Sequence, residues 1–167
     1  MSAWPVPGRP EPSQVPAGER IALEQRLDFQ RATLLLKCAG LTPAQLALRA
    51  CPPSTLSLLG LVRHLSRVEA WFHDYDRQPD DQYFWDYQPG ADAGVTDASR
   101  AEEDLASYHR SVQRARAAVA GLSLDEIMPA YGEYSLRWVY LHMIEEYARH
   151  NGHADFLRER IDGATGE

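Results

Sequence analysis

A carboxylate and several imidazoles lie at helical spacings near the end of the chain. Glu146 and His150 are four residues apart, so in a helix both side chains would stack on the same face. A carboxylate oxygen and an imidazole nitrogen on one face are suitable ligands for a divalent metal ion. This pair predicts that residues 136–160 form a helix with a metal site near its centre.

The apolar residues around this pair support the prediction. Steps of three and four residues that include Leu136, Met143 and Leu157 trace the inward stripe of an amphipathic helix, and Glu146 and His150 interrupt that stripe. Ionised carboxylates are rarely buried without a partner, because desolvation is costly. A metal ion is the simplest partner. The alternative is a buried Glu–His hydrogen-bond network that only fixes the register of the helices.

A third metal ligand must come from another helix, and His64 is the candidate. It lies beside Leu61 and Leu65 at the edge of the apolar stripe of an earlier helix, and therefore points inward. Three protein ligands leave one position open for water or substrate, as in catalytic zinc sites. Zinc is the expected ion, with nickel or another divalent ion as the alternative. Glu69, five residues after His64, is a candidate to orient a ligand histidine.

Two further histidines flank the predicted ligands on the last helix. His142 lies four residues before Glu146, and could ligate in place of His150 or lie just outside the metal shell. His153 lies three residues after His150, one turn further along. Because four ligands over three turns would overreach one ion, we expect His142 and His153 to face the substrate or to support the ligands.

The elements that must position these residues are helices. Apolar stripes and capping residues predict four long helices and two short helical turns, and strand-like alternation is essentially absent. The long helices are expected at 18–40, 54–75, 99–121 and 135–163, and the turns at 42–50 and 123–126. This pattern predicts an all-α fold, an antiparallel four-helix bundle with a long loop between helices two and three.

The remaining segments set the domain boundaries. Residues 1–17 contain five prolines and are predicted to be an extended arm, and residues 18–164 a single domain. Residues 76–97 are acidic, aromatic and rich in Gly and Pro, which is typical of a long functional loop. Their aromatic residues could form a lid over the site or the contact of a homodimer.

Charge and hydropathy exclude several classes of protein. The formal net charge is −7 and Lys37 is the only lysine, so no basic patch for nucleic acid is visible. No segment is long and apolar enough to span a membrane, and the N-terminal residues lack the basic start and apolar segment expected of a signal peptide. Cys38 and Cys51 are expected to be reduced thiols. A cytoplasmic protein without nucleic-acid or membrane partners is therefore expected.

Three segments of the chain resemble the DinB-like superfamily. They are LLGLVRHL at 58–65 followed by Glu69, SLRW at 135–138, and HMIEEYARHNGHADFLRERIDG at 142–163. The resemblance covers roughly residues 18–164 and is strongest to the actinobacterial branch of small proteins. It implies a four-helix bundle, which the periodicity predicts independently.

The resemblance also implies a set of metal ligands. Many DinB-like proteins have His-x-x-x-His on the last helix, whereas here Glu146 occupies the first of those positions. This variant is similar to the mycothiol-dependent maleylpyruvate isomerase family, whose ligands are a helix-two histidine and a Glu-x-x-x-His pair. At the matching positions the resemblance implies His64, Glu146 and His150 as ligands. His153 stands where many relatives have glutamine.

The resemblance further implies thiol chemistry. DinB-like members are proposed to transfer low-molecular-weight thiols, which implies a metal-dependent thiol transferase with mycothiol as cosubstrate and an electrophilic small molecule as substrate. A metal-bound thiol reacts as thiolate, and His153 or His142 would carry the released proton. The alternatives are a non-catalytic metal-binding or small-molecule-binding protein and a hydrolase that uses metal-activated water.

Overall fold

The fold is all-α, as the sequence predicts, over the part of the chain that the computed structural model describes. The described residues are 4–73, 97–128 and 133–166, and for residues 70–73 only the backbone. A short 3-10 helix, Ala98–Arg100, precedes the fourth helix. The described α-helices are α1 (Glu19–Cys38), α2 (Pro43–Leu46), α3 (Leu58–His73), α4 (Ala101–Val119) and α5 (Leu136–Asp162).

Several helix ends lie where the sequence predicts them. Thr42 and Gln45 form the expected capping box of α2. Ser135 caps α5 by accepting a hydrogen bond from the Trp138 backbone N–H. Gly163 ends α5 with a left-handed conformation, φ 79°, which a glycine adopts without steric cost. The helix that carries Glu146 and His150 therefore has both of its predicted caps.

The predicted starts of α3 and α4 are wrong by a few residues. The side chain of Ser54 accepts from the Leu56 backbone N–H within the preceding turn, and Ser57 instead caps α3 by accepting from the Gly60 N–H at 3.0 Å. Before α4, Asp97 accepts hydrogen bonds from both the backbone and the hydroxyl of Ser99. Ser99 is thus a donor to an earlier cap, so it does not begin a capping box.

Helices α1 and α5 run in the same direction, which differs from the purely antiparallel packing that the sequence predicts. Four hydrogen-bonded pairs join them, and the residue numbers rise together along both helices. In chain order, the pairs are Glu19–Arg137, Glu24–Tyr140, Gln30–Asn151 and Lys37–Arg158. The two members of each pair lie 116 to 121 residues apart in the chain, so no local sequence pattern predicts them.

Helix α3 packs against both α4 and α5, and His64 lies partly buried on α3. Arg63 lies 3.8 Å from Asp104, and Ser66 lies 3.2 Å from Ser111, so α3 and α4 also run in the same direction. Residues 74–96 lie outside the described residues. The long loop predicted at 76–97 therefore stays a prediction, apart from Asp97.

One hydrophobic core joins the four long helices. Its buried members include Leu34 from α1, Leu61 from α3, Val112 from α4 and Met143 from α5. Burial of this apolar surface is the main driving force for the packing. Trp4 also belongs to this core, with its backbone bonded to Gly40 and Leu41.

A buried polar network fixes α3 against α1 and α5. The Arg31 guanidinium donates two hydrogen bonds to the Glu69 carboxylate, at 2.8 and 2.7 Å. The Tyr147 hydroxyl donates to the same carboxylate at 2.6 Å and lies 3.0 Å from the Tyr108 hydroxyl. Glu69 is completely buried, so this network compensates the cost of removing its charge from water.

None of the helices in the described part of the chain combines the length and the apolar character that a membrane crossing requires.

We predict that Glu69→Gln lowers the free energy of unfolding by about 3 kcal/mol, because it leaves the buried Arg31 guanidinium without its main counter-ion. Urea unfolding followed by circular dichroism would measure the change. Glu103→Gln is the matched control, since Glu103 pairs with Arg100 at the exposed start of α4 and should contribute less than about 1 kcal/mol. Equal effects of the two substitutions would contradict this account.

Candidate metal centre

The contact between α3 and α5 brings His64, Glu146 and His150 together. Each residue offers one ligand atom, and these atoms all lie within 4.8 Å of one another. His64 lies near the middle of α3, and the four-residue spacing on α5 places Glu146 and His150 on its α3-facing side. The three residues predicted as metal ligands therefore form one cluster.

A single oxygen of Glu146 lies between the two imidazoles. Its Oε1 atom is 3.2 Å from His64 Nε2 and 3.1 Å from His150 Nε2. The two imidazole rings lie 4.6 Å apart at an interplanar angle of 61°. Because an ionised carboxylate only accepts hydrogen bonds, this arrangement requires a proton on Nε2 of each histidine. Both Nε2 atoms would have to give up that proton to ligate an ion.

The donor set and its spacing fit a divalent transition-metal ion. One carboxylate oxygen and two imidazole nitrogens are typical zinc ligands. Two ligand atoms that each lie about 2.1 Å from one tetrahedral ion are separated by about 3.4 Å. The Glu146–histidine distances of 3.2 and 3.1 Å are close to that separation. The ligand atoms of His64 and His150 lie within 4.8 Å of each other, so all three residues can reach one ion with side-chain movement.

The cluster is partly open to solvent. The side chains of His64 and Glu146 are 23% and 22% exposed, and that of His150 is 12% exposed. A metal site that is purely structural is usually closed by four protein ligands, whereas an open position is typical of catalytic sites. Three donors beside accessible solvent leave room for an exogenous ligand.

The electrostatics of the cluster favour the ligating forms of Glu146 and His150. Partial burial acts to raise the pKa of Glu146, but the hydrogen bonds and charges of His64 and His150 outweigh it and hold that pKa below its usual value. Burial, together with the charge of His64, lowers the pKa of His150 although Glu146 opposes this. An ionised carboxylate and a neutral imidazole are the forms that bind metal.

His153 lies on the other side of the His150 ring. The two Nδ1 atoms are 3.3 Å apart, and the rings meet edge to face with centroids 5.3 Å apart. His153 is exposed, and it contributes no atom to the three-residue cluster. His153 is therefore in direct contact with a predicted ligand.

His142 belongs to a column of aromatic rings that leads along α5 toward the cluster. Its ring stacks on Trp138 with centroids 5.0 Å apart, and Trp138 stacks on Tyr134 at 4.1 Å. Tyr134 and Trp138 are 46% and 39% exposed, so both rings lie at the surface. The spacing of four residues between aromatic residues at 134, 138 and 142 is the signal that could have identified this column.

Glu69 does not orient a ligand histidine, which corrects the interpretation from sequence. Its two carboxylate oxygens bind Arg31, and one of them also accepts from Tyr147. Five residues correspond to about one and a half helical turns, so Glu69 points away from the face that carries His64. The Nδ1 atom of His150 is contacted instead by His153.

A protein-family model described as Mycothiol-S-transferase matches residues 22–163, most of the chain. No curated protein and no solved structure matches the chain. The matched range contains the whole cluster and both flanking histidines.

The shifted pKa of His150 predicts a pH dependence of stability in the metal-free protein. The unfolded chain protonates this imidazole below about pH 6.5, whereas the folded protein does so only at lower pH. The free energy of unfolding should therefore fall as the pH decreases below about 6.5, and this part of the fall should be missing in His150→Asn. Urea unfolding at a series of pH values measures it. Parallel pH profiles for the two proteins would contradict the prediction.

Proposed function

Since the chain belongs to the mycothiol-S-transferase family, a DinB-like family, we propose that it joins the thiol of mycothiol to an electrophilic small molecule. The observation that carries this proposal is the partly exposed cluster of His64, Glu146 and His150, whose donor atoms lie within 4.8 Å of one another. The cluster combines a metal-type donor set with access for a small molecule.

His64, Glu146 and His150 are the residues that would hold the ion in this proposal. A divalent ion at this position, zinc rather than nickel in our proposal, supplies Lewis acidity that turns a bound thiol into a thiolate. Glu146 contributes a carboxylate whose lowered pKa keeps it ionised at neutral pH. His150 contributes an imidazole whose lowered pKa keeps it neutral, with a lone pair available.

The proposed reaction is a substitution at an electrophilic carbon. The sulfur–carbon bond forms, the bond from carbon to the leaving group breaks, and the leaving group departs with the electron pair. The thiol proton leaves through solvent at the partly exposed cluster and is taken up by His153, whose exposed ring can return it to water. His142 faces the electrophile in this proposal, because its ring ends the column that begins with the exposed Tyr134 and Trp138.

A second candidate is a metal-binding protein without turnover. The observation that favours it is that Glu146 on α5 bonds His64 on α3, so an ion in the same position would staple the two helices together. Hydrolysis by metal-activated water is a third use of the same ligands. Substitution of a ligand discriminates between the first two readings, because one predicts loss of activity and the other mainly loss of stability.

Three further features complete the proposal. We propose that residues 18–164 form one four-helix-bundle domain, which the shared core of the four long helices supports, and that residues 1–17 form an arm anchored by Trp4. We propose that the protein acts in the cytoplasm. The homodimer contact predicted from the aromatic residues of 76–97 falls mainly outside the described residues and stays a prediction.

We predict that zinc-loaded protein accelerates the conjugation of mycothiol with monobromobimane above the uncatalysed rate. His64→Ala, Glu146→Gln and His150→Ala should each lower this acceleration by at least about 100-fold, since even residues behind a metal ligand are worth about 10- to 100-fold. His109→Ala is the control, because His109 is an exposed histidine on α4 outside the cluster. Unchanged rates with a large loss of thermal stability in all three variants would favour the non-catalytic reading.

We also predict that His142→Ala raises the KM for monobromobimane by about three- to tenfold, because a ring contact of this kind is worth about 0.5–1.5 kcal/mol. The KM for mycothiol should change less. Initial rates at varied concentrations of each reactant measure both constants, with Phe156→Ala, which removes a 70% exposed aromatic ring on the same helix, as the control. An effect on the mycothiol KM alone would contradict the assignment of His142 to the electrophile.

A further inference from the structure

The contact between His150 and His153 restricts which ring nitrogen of His150, Nδ1 or Nε2, carries the proton. A neutral imidazole carries one proton, on either Nδ1 or Nε2, and the hydrogen bond made by one nitrogen decides what the other can do. His150 Nε2 lies 3.1 Å from Glu146 Oε1, and His150 Nδ1 lies 3.3 Å from His153 Nδ1. Each ring nitrogen of His150 therefore has one polar neighbour among the described residues.

In the metal-free arrangement, the hydrogen bonds run from His153 toward Glu146. His150 Nε2–H donates to the carboxylate, so its Nδ1 carries a lone pair and accepts from His153 Nδ1–H. Two lone pairs at 3.3 Å would repel each other, which excludes the arrangement in which neither Nδ1 carries a proton. His153 thus carries the Nδ1 proton of the pair when His150 Nε2–H donates its hydrogen bond to Glu146.

Metal ligation through His150 Nε2 requires the reverse arrangement. The Nε2 lone pair must be free, so the single proton of the neutral ring must be on Nδ1. His150 Nδ1–H then needs an acceptor, and His153 Nδ1 lies at the correct position. The hydrogen bond keeps the same two atoms and changes only its direction, with no change in the charge of either ring.

We propose that His153 is a positioning residue that sets the tautomer of His150 and thereby prepares its Nε2 atom for a metal ion. This inference rests on the metal site of the proposed function. His153 suits the role because an imidazole Nδ1 can either donate or accept, so one side chain supports both arrangements. Its exposure lets its own Nε2 atom exchange a proton with water as the direction of the bond changes.

Helical geometry explains why residue 153 can act on residue 150. Residues three apart lie next to each other on the helix surface, and α5 is continuous from Leu136 to Asp162. His150 is largely buried against α3, whereas His153 is rotated by about 60° toward solvent. The acceptor therefore stands on the outer side of the ligand, opposite to the cluster, and does not compete for the ion.

The zinc affinity of His153 variants tests the proposal. The amide of asparagine places an oxygen or a nitrogen where the histidine has Nδ1, so His153→Asn should bind zinc within about threefold of the wild-type chain. His153→Leu offers no acceptor and should bind zinc about 10- to 100-fold more weakly. Competition with a chromophoric chelator measures each affinity, and His109→Leu, which removes an exposed histidine outside the cluster, should bind as the wild-type chain does.

A second readout addresses the tautomer directly. In zinc-loaded protein with ¹⁵N-labelled histidine, the NMR spectrum should show His150 with a protonated Nδ1 and a metal-bound Nε2, and His153→Leu should lose this single form. Urea unfolding of the metal-free variants shows whether they are as stable as the wild-type chain. A purely structural role of His153 would change that stability. Wild-type zinc affinity and an unchanged His150 tautomer in His153→Leu would overturn the proposal, as would a wild-type chain that binds no zinc.

Conjugation of mycothiol with monobromobimane, measured on the same samples, separates this inference from the proposed function. Weaker zinc binding in His153→Leu, together with no catalysis by the wild-type chain, would refute the transferase and retain the role of His153. Catalysis by the wild-type chain with unchanged zinc affinity in His153→Leu would retain the transferase and refute the role of His153.

Discussion

The contact of one Glu146 oxygen with two imidazoles is the interaction on which the candidate site depends. It joins His64 on α3 to His150 on α5, so the site exists only while these helices keep their register. An ionised carboxylate in a half-buried position needs such partners, because hydrogen bonds from both rings replace those lost from water. The same oxygen and nitrogens are the atoms that a metal ion would use if the proposed site is correct.

The surrounding structure maintains that register through a second polar contact. Tyr147 follows Glu146 on α5 and binds Glu69, which lies about one and a half turns after His64 on α3. Arg31 from α1 completes the charge balance of Glu69. Helices α3 and α5 are therefore joined by one buried network and, beside it, by one partly exposed cluster. The first is completely buried at Glu69, and the second remains partly open to solvent.

Local patterns predicted the part of the site that lies on one helix. The spacing of Glu146 and His150 requires only a helix, and the caps of that helix at Ser135 and Gly163 are also local signals. The prediction of His64 needed one further step, because His64 lies on another helix and reaches Glu146 and His150 only if the two helices pack together. The family match and the cluster geometry agree with the prediction of a DinB-like, all-α chain. The assignment of the three residues as metal ligands remains a prediction.

Local sequence patterns did not predict which residues that are distant in the chain contact each other. Glu69 has a partner in Arg31, 38 residues away, and the sequence contains no signal that pairs them, so the role given to Glu69 was wrong. The parallel course of α1 and α5 likewise follows from long-range pairs such as Glu19–Arg137. The contact of His153 with His150 depends on the rotamers of both rings, which spacing alone leaves open.

The most direct measurement of the central claim is the zinc stoichiometry of the metal-free chain and of its His64→Ala, Glu146→Gln and His150→Ala variants, by calorimetric titration. The account predicts one tight zinc site in the wild-type chain and much weaker binding in each of the three variants. Binding of no zinc by the wild-type chain, or the same tight binding by all three variants, would contradict it.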